Sequence, residues 1–236
     1  MEIVTTLLTT SVQEFEAQFT RTLPFCTTFQ IDIQDGLFVP SSTLSAEHVC
    51  ATLNRLRVSL GELVEGCTFD FHLQVTDYLP SLSAIHAVAS DIRIRYIFAH
   101  TNLPLASQPD IENWSLKIEN LFLCPALNPE DRLTKDTLFV GRPLLSFPAI
   151  QIMTIHPGPQ GQVFIPKQLE RINELRNNGY KGKIVVDGSI NPTSLKHILS
   201  LPSTYHPDIV CVGSYLSRAP NQEVGGRIEM MKELVK

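Results

Sequence analysis

The chain has 236 residues, 43% of them hydrophobic and 18% charged, which supplies one sizeable core and excludes a disordered polymer. Its 19 basic and 24 acidic residues give a formal charge of -5. The basic side chains are scattered in pairs such as Arg93 with Arg95 and Lys181 with Lys183, so no nucleic-acid surface is expected.

From the N-terminus, a β-rich run at Ile3–Leu8 precedes helical spacing at Ser11–Thr20, and a second run at Thr27–Ile33 precedes a helix at Ala46–Leu60. Further strands are predicted at Thr68–Val75, Ile92–Ala99, Leu121–Leu127 and Ala149–Ile155. The Pro-rich stretch Leu103–Pro109 reads as a surface loop after the fourth strand, and Gly141–Pro148 as the lead into the sixth. A helix over Pro166–Asn178 places Leu169, Ile172 and Leu175 on one face; strands at Lys183–Val186 and Asp208–Val212 follow. Strands alternating with helices imply parallel βαβ units, and eight in a chain of this length predict a single (β/α)8 TIM barrel spanning residues 1–236. An open doubly wound sheet is the alternative.

Barrel active sites form at the C-terminal ends of strands. The second strand ends with Gln30, Asp32 and Gln34 on one face and Ile31 and Ile33 on the other. The third places Asp70, His72 and Gln74 together, opposite Phe69, Phe71, Leu73 and Val75. Polar groups pointing into a barrel are costly unless something uses them. The seventh strand is apolar and ends in Asp187-Gly188, a pair that elsewhere reads as a turn.

Five motifs occur in order: Asp-x-x-Asp-Gly-x-Phe-Val-Pro at Asp32–Pro40, Asp-x-His-Leu at Asp70–Leu73, Met-Thr-x-x-Pro-Gly-x-x-Gly-Gln-x-Phe at Met153–Phe164, Val-Asp-Gly at Val186–Gly188 and Val-Gly-Ser at Val212–Ser214. Together with Leu-Asn-Pro at Leu127–Pro129, they make a chain that resembles the ribulose-phosphate 3-epimerase family over nearly its whole length. The resemblance implies a ribulose-phosphate-binding type of barrel that inverts C3 of a phosphorylated ketose, a cytoplasmic isomerase of carbohydrate and pentose phosphate metabolism. It implies Asp32 and Asp187 as the catalytic pair that exchanges a proton at C3. A divalent metal, Zn, Fe, Mn or Mg, would be held by His72, Asp32 and Asp187. The small phosphorylated sugar would meet Thr6, Gln34, Gln74, Met153, Gly158, Gly161, Gly188, Ser189, Gly213 and Ser214. Family members are commonly oligomeric, so a homo-oligomer is expected, with no nucleic-acid or membrane partner.

The family pattern is broken at several of these positions. Gln30 stands where the family has a metal-binding His, and its carbonyl oxygen is a poorer partner than imidazole for Zn or Fe. Gln34 and Gln74 replace pocket methionines, leaving Met153, which makes the lid over the reacting carbons amide-rich. Ser189 replaces a glycine in the phosphate cradle, and Pro159 stiffens the closing loop. Two other readings therefore stay open: a catalytically impaired phosphosugar-binding or regulatory barrel, and another phosphate-binding barrel isomerase or lyase.

His156 falls in phase with Thr154 and reads as a loop hydrogen-bonder rather than a replacement ligand. His48, His86, His100, His197 and His206 read as surface or capping residues, and Trp114 as packing. Cys26, Cys50, Cys67, Cys124 and Cys211, odd in number and widely spaced, are expected to be reduced. The N-terminus shows no secretory pattern.

Overall fold

The computed structural model describes residues 1–101, 122–134 and 136–236. Leu121, Trp114 and the loop expected at Leu103–Pro109 lie outside the described residues.

Eight parallel strands close into a barrel in sequential order: β1 Glu2–Leu7, β2 Thr28–Gln34, β3 Thr68–Gln74, β4 Arg93–His100, β5 Phe122–Leu127, β6 Ala149–Met153, β7 Lys183–Asp187 and β8 Ile209–Val212, with β8 paired to β1. The closed barrel settles the choice against an open sheet. Closure also explains the nearly unbroken apolar character of β7, because both faces of its strand are covered. Around the barrel run α1 Val12–Thr22, α2 Ala46–Leu60, α3 Leu79–Val88, α4 Glu170–Asn177, α5 Pro192–Ser200 and α6 Val224–Leu234. Their starts follow from local chemistry: Ser11 and Ser45 accept from Glu14 N and His48 N, and Asn191 forms a capping box with Ser194 ahead of Pro192.

Outward side chains of the strands, such as Phe29, Ile31, Phe69 and Phe71, form a large core with inner faces of the helices, including Phe15, Phe19, Leu53 and Ile85. Inside the barrel a smaller apolar cluster of Val4, Phe98, Cys124, Ala126, Ala149, Val185, Ile209 and Cys211 fills the lower lumen. Beside it buried Asp70 takes a two-pronged bond from Arg95, at 3.0 Å from Nε and 2.6 Å from Nη2, and Arg95 also binds Glu2. Above the apolar layer the lumen turns polar. The register between β2 and β3 runs from Thr28↔Thr68 to Gln34↔Gln74, so Gln30 sits beside Asp70, Asp32 beside His72 and Gln34 beside Gln74. On the far wall Asp187 pairs with Met153 and Cys211.

Candidate active site at the barrel mouth

β2, β3 and β7 deliver Asp32, His72 and Asp187 to one point, where a ligand atom from each lies within 4.8 Å of the others. His72 Nδ1 is 3.4 Å from Asp32 Oδ1 and 3.5 Å from Asp187 Oδ2. Gln30 Nε2 bridges the two carboxylates, donating to Asp32 Oδ1 at 3.0 Å and Asp187 Oδ2 at 2.8 Å. Its orientation is fixed from below, because the Cys211 thiol donates to Gln30 Oε1 at 3.1 Å. The glutamine thus turns its N–H groups, and not its carbonyl oxygen, toward the acids. Gln151 Nε2 adds a second amide donor to Asp187 Oδ2 at 3.1 Å.

Burial, with the neighbouring Asp187 charge behind it, pushes the Asp32 carboxyl above the ordinary range, against hydrogen bonds from His72 and Gln30. His72 is also fully buried, which alone would favour the neutral ring, but the two carboxylates raise its pKa to about 9. Gln74 Nε2 lies 3.3 Å from the same Nδ1, so that nitrogen either accepts the amide N–H or, protonated, faces the acids.

His100 corrects the sequence-based expectation: it is fully buried, not a surface or capping residue. Its Nε2 lies 3.0 Å from His72 Nε2, and its ring packs 4.8 Å from that of Phe38. Burial, and after it the nearby His72, push its pKa well below the ordinary value. His156 is exposed and pairs with Glu130 at 2.7 Å, away from the acids. All five cysteines are free thiols.

A cavity opens above the acids, lined by Thr6, Gln74, Met153, Gly158, Gly161, Gly188, Ser189, Gly213 and Ser214, together with Leu8, Ile155 and Gln160. Of the expected sugar-binding positions, Gln34 alone lies off its wall. It is buried behind Gln74, donating to Gln74 Oε1 and Gly158 O, each at 3.0 Å, and accepting from Ser41 Oγ at 2.8 Å. These amides are therefore tied to one another and to Gly158 in the loop after β6. Ser189, in its glycine position, takes a left-handed φ of 54° and donates from its hydroxyl to Gln162 O.

Residues 2–214 match the sequence model of the Ribulose-phosphate 3 epimerase family. The chain belongs to that family. It is 30% identical over 171 residues to the ribulose-phosphate 3-epimerase of Methanocaldococcus jannaschii, covering 69% of this chain and 62% of that protein. With the cytoplasmic isoform of Oryza sativa subsp. japonica it shares 25% identity over 175 residues, 70% of this chain and 66% of that protein. The matched region thus spans less than two thirds of either relative's length. Among solved structures, KGPDC from Streptococcus mutans superposes with a TM-score of 0.64 over 99% of this chain and 96% of that one, at 10% identity; this likeness shows the shared fold alone.

For this member of the epimerase family, Asp32, His72 and Asp187 fit a divalent cation: two carboxylates and an imidazole converge in one buried place. Gln30 does not fit as a fourth ligand in the orientation it holds, since its N–H groups face the acids and Cys211 occupies its carbonyl oxygen. Sequence reasoning missed His100, Gln151 and Gln160. Strand alternation was the available signal for the first two, since Phe98 with His100, and Ala149 with Gln151 and Met153, fall in step on inner faces.

Proposed function

We propose that this protein epimerises C3 of a phosphorylated ketose, ribulose 5-phosphate or a close relative, using Asp32 and Asp187 as a proton-exchanging pair. The observation that carries this reading is the approach of the two carboxylates within 4.8 Å in the lining of a cavity that also includes Thr6, Ser189, Gly213 and Ser214. One acid, ionised, removes the proton from C3 while the other, protonated, returns a proton from the opposite side; reversal of the roles runs the reaction backward. The Gln30 and Gln151 amides hold the carboxylates in place, and the Gln34–Gln74 pair shapes the lid above the reacting carbons. The ring of His72, buttressed by His100, bridges the acids. Asp32, His72 and Asp187 would hold a divalent cation, which when bound would supply Lewis-acid stabilisation of negative charge on the substrate oxygens. Gly188, Ser189, Gly213 and Ser214, in the loops after β7 and β8, receive the phosphate.

The test is exchange of the C3 proton of ribulose 5-phosphate in heavy water, followed by NMR. Wild-type protein should exchange it, and Asp32→Asn or Asp187→Asn should abolish exchange. The bridging orientation of Gln30 favours a second reading, a barrel that binds the phosphosugar without turning it over. Binding of ribulose 5-phosphate with no exchange would select it and overturn the epimerase.

A further inference from the structure

The lining of the cavity contains a donor that the mechanism does not use. Gln160 sits in the loop after β6, with its side-chain amide against Gly213. A Cβ on that glycine would lie 3.0 Å from Gln160 Nε2 and 3.5 Å from Thr6 Cβ. The bare glycine backbone is what leaves room for the amide. Ser217 Oγ donates to Gln160 Oε1 at 2.8 Å and fixes which end of the amide points inward. Arg218 Nη2 donates to the Gln160 carbonyl oxygen at 3.0 Å and holds the loop backbone. Arg218 also lies across Gly161, where a Cβ would come within 2.6 Å of Nη2, so the guanidinium packs on a glycine that lines the cavity.

Held in this way, Gln160 Nε2 is buried and has no hydrogen-bond partner among the described residues. Thr6 Oγ1, in a residue only 3% exposed, is likewise buried and unpartnered among them. Both residues line the cavity and both pack on Gly213. Two orphaned polar groups in one corner would each carry a desolvation penalty unless a ligand completes them. The amide offers only N–H there, so the ligand atom must be an acceptor. Arg218 sets a positive charge against the Gln160–Gly161 backbone, and the adjoining loops after β7 and β8 are where barrels of this kind receive phosphate.

We infer that Gln160 is a specificity-determining residue whose side-chain amide donates to a phosphate oxygen of the substrate, beside the Thr6 hydroxyl. The phosphate is then recognised partly by a side chain from the loop after β6. Ser217 and Arg218 hold the residue that contacts the ligand. This inference rests on the reading of the cavity as a phosphoketose site and adds the residue that selects the phosphate.

Isothermal titration with ribulose 5-phosphate and with inorganic phosphate tests it on wild-type protein, Gln160→Met and Gln160→Glu, with thermal melts to verify folding. Gln160→Met keeps the length and removes the donor, and both ligands should bind roughly tenfold or more weakly. Gln160→Glu sets a carboxylate against phosphate and should weaken binding further. Wild-type affinity in Gln160→Met, or tighter phosphate binding in Gln160→Glu, would overturn the inference while leaving the phosphoketose reading intact. Failure of wild-type protein to bind either ligand would overturn both.

Discussion

Gly188 joins the catalytic candidate Asp187 to the phosphate loop, and its backbone sets a sharp test. It turns at φ +126°, where L side chains rarely go. A Cβ there would lie 2.7 Å from Ile155 Cγ1 and 2.9 Å from the Ile155 backbone nitrogen. The side chain can rotate away, but the backbone cannot: the neighbouring Thr154 N donates to Asp187 O at 2.7 Å and its hydroxyl donates to Gly188 O, also at 2.7 Å. Backbone strain of about 1–3 kcal/mol adds to overpacking of about 1–3 kcal/mol. Gly188→Ala should therefore lose about 2–6 kcal/mol of stability. For a chain of this size each kcal/mol moves Tm by about 2–4 °C, so the melt should fall by about 4 °C or more. Gly226→Ala is the matched control. That glycine is exposed within α6, meets nothing within 4 Å of the added Cβ, and should gain about 0.8–1 kcal/mol of helix propensity. Equilibrium urea unfolding of the two variants beside wild type measures both signs. A Gly188→Ala protein within about 0.5 kcal/mol of wild type, well inside the predicted loss, would refute the steric reasoning.

Tyr180→Phe should cost about 1–2 kcal/mol in the same assay, because the buried hydroxyl lies 3.1 Å from Phe147 O and 3.2 Å from Lys183 O, and its loss leaves these carbonyls without that donor. Asp208 is held below the ordinary carboxylate range: partial burial opposes this, but the Ile184 amide, Lys183 and Arg176 prevail. Its stabilisation is present above the unfolded carboxylate value near 3.9 and is lost as pH falls through the lower folded one, so the stability gap between wild type and Asp208→Asn should narrow below about pH 4. Gln30→His should tighten zinc binding by roughly tenfold or more in a competition titration with a chromophoric chelator. Unchanged affinity would show that position 30 does not face the cation.

The barrel was legible because its strands carry β-branched and aromatic runs at regular intervals, separated by helical spacing. The inner polar faces of β2 and β3 could be read from alternation alone, since each contributes several polar residues in step. Single inward residues were harder to recognise. His100 closes a strand whose apolar run ends one residue earlier, at Ala99, so its step with Phe98 was the one signal for it, where β2 and β3 each offer several polar residues in step. Gln160 could not be found by alternation, because it sits in a loop where position depends on Ser217 and Arg218, some sixty residues away in the chain. No local pattern encodes that contact.

The glutamines of the mouth matter most as a connected set. Two carboxylates brought this close and buried require compensation, and an isolated amide at position 30 would supply little of it unless its orientation were fixed. Cys211 fixes it from below, and Gln151 gives Asp187 another donor. Gln34 and Gln74 then use each other and the Gly158 carbonyl, so the lid amides do not compete for the acids. The chain's own donors thereby stabilise the acids, and a cation entering among them must displace the two bonds from Gln30. Metal affinity should consequently respond to Cys211, which touches neither carboxylate in the hydrogen-bond network yet holds Gln30 in its bridging orientation. The amide at position 30 and the thiol beneath it act as one unit.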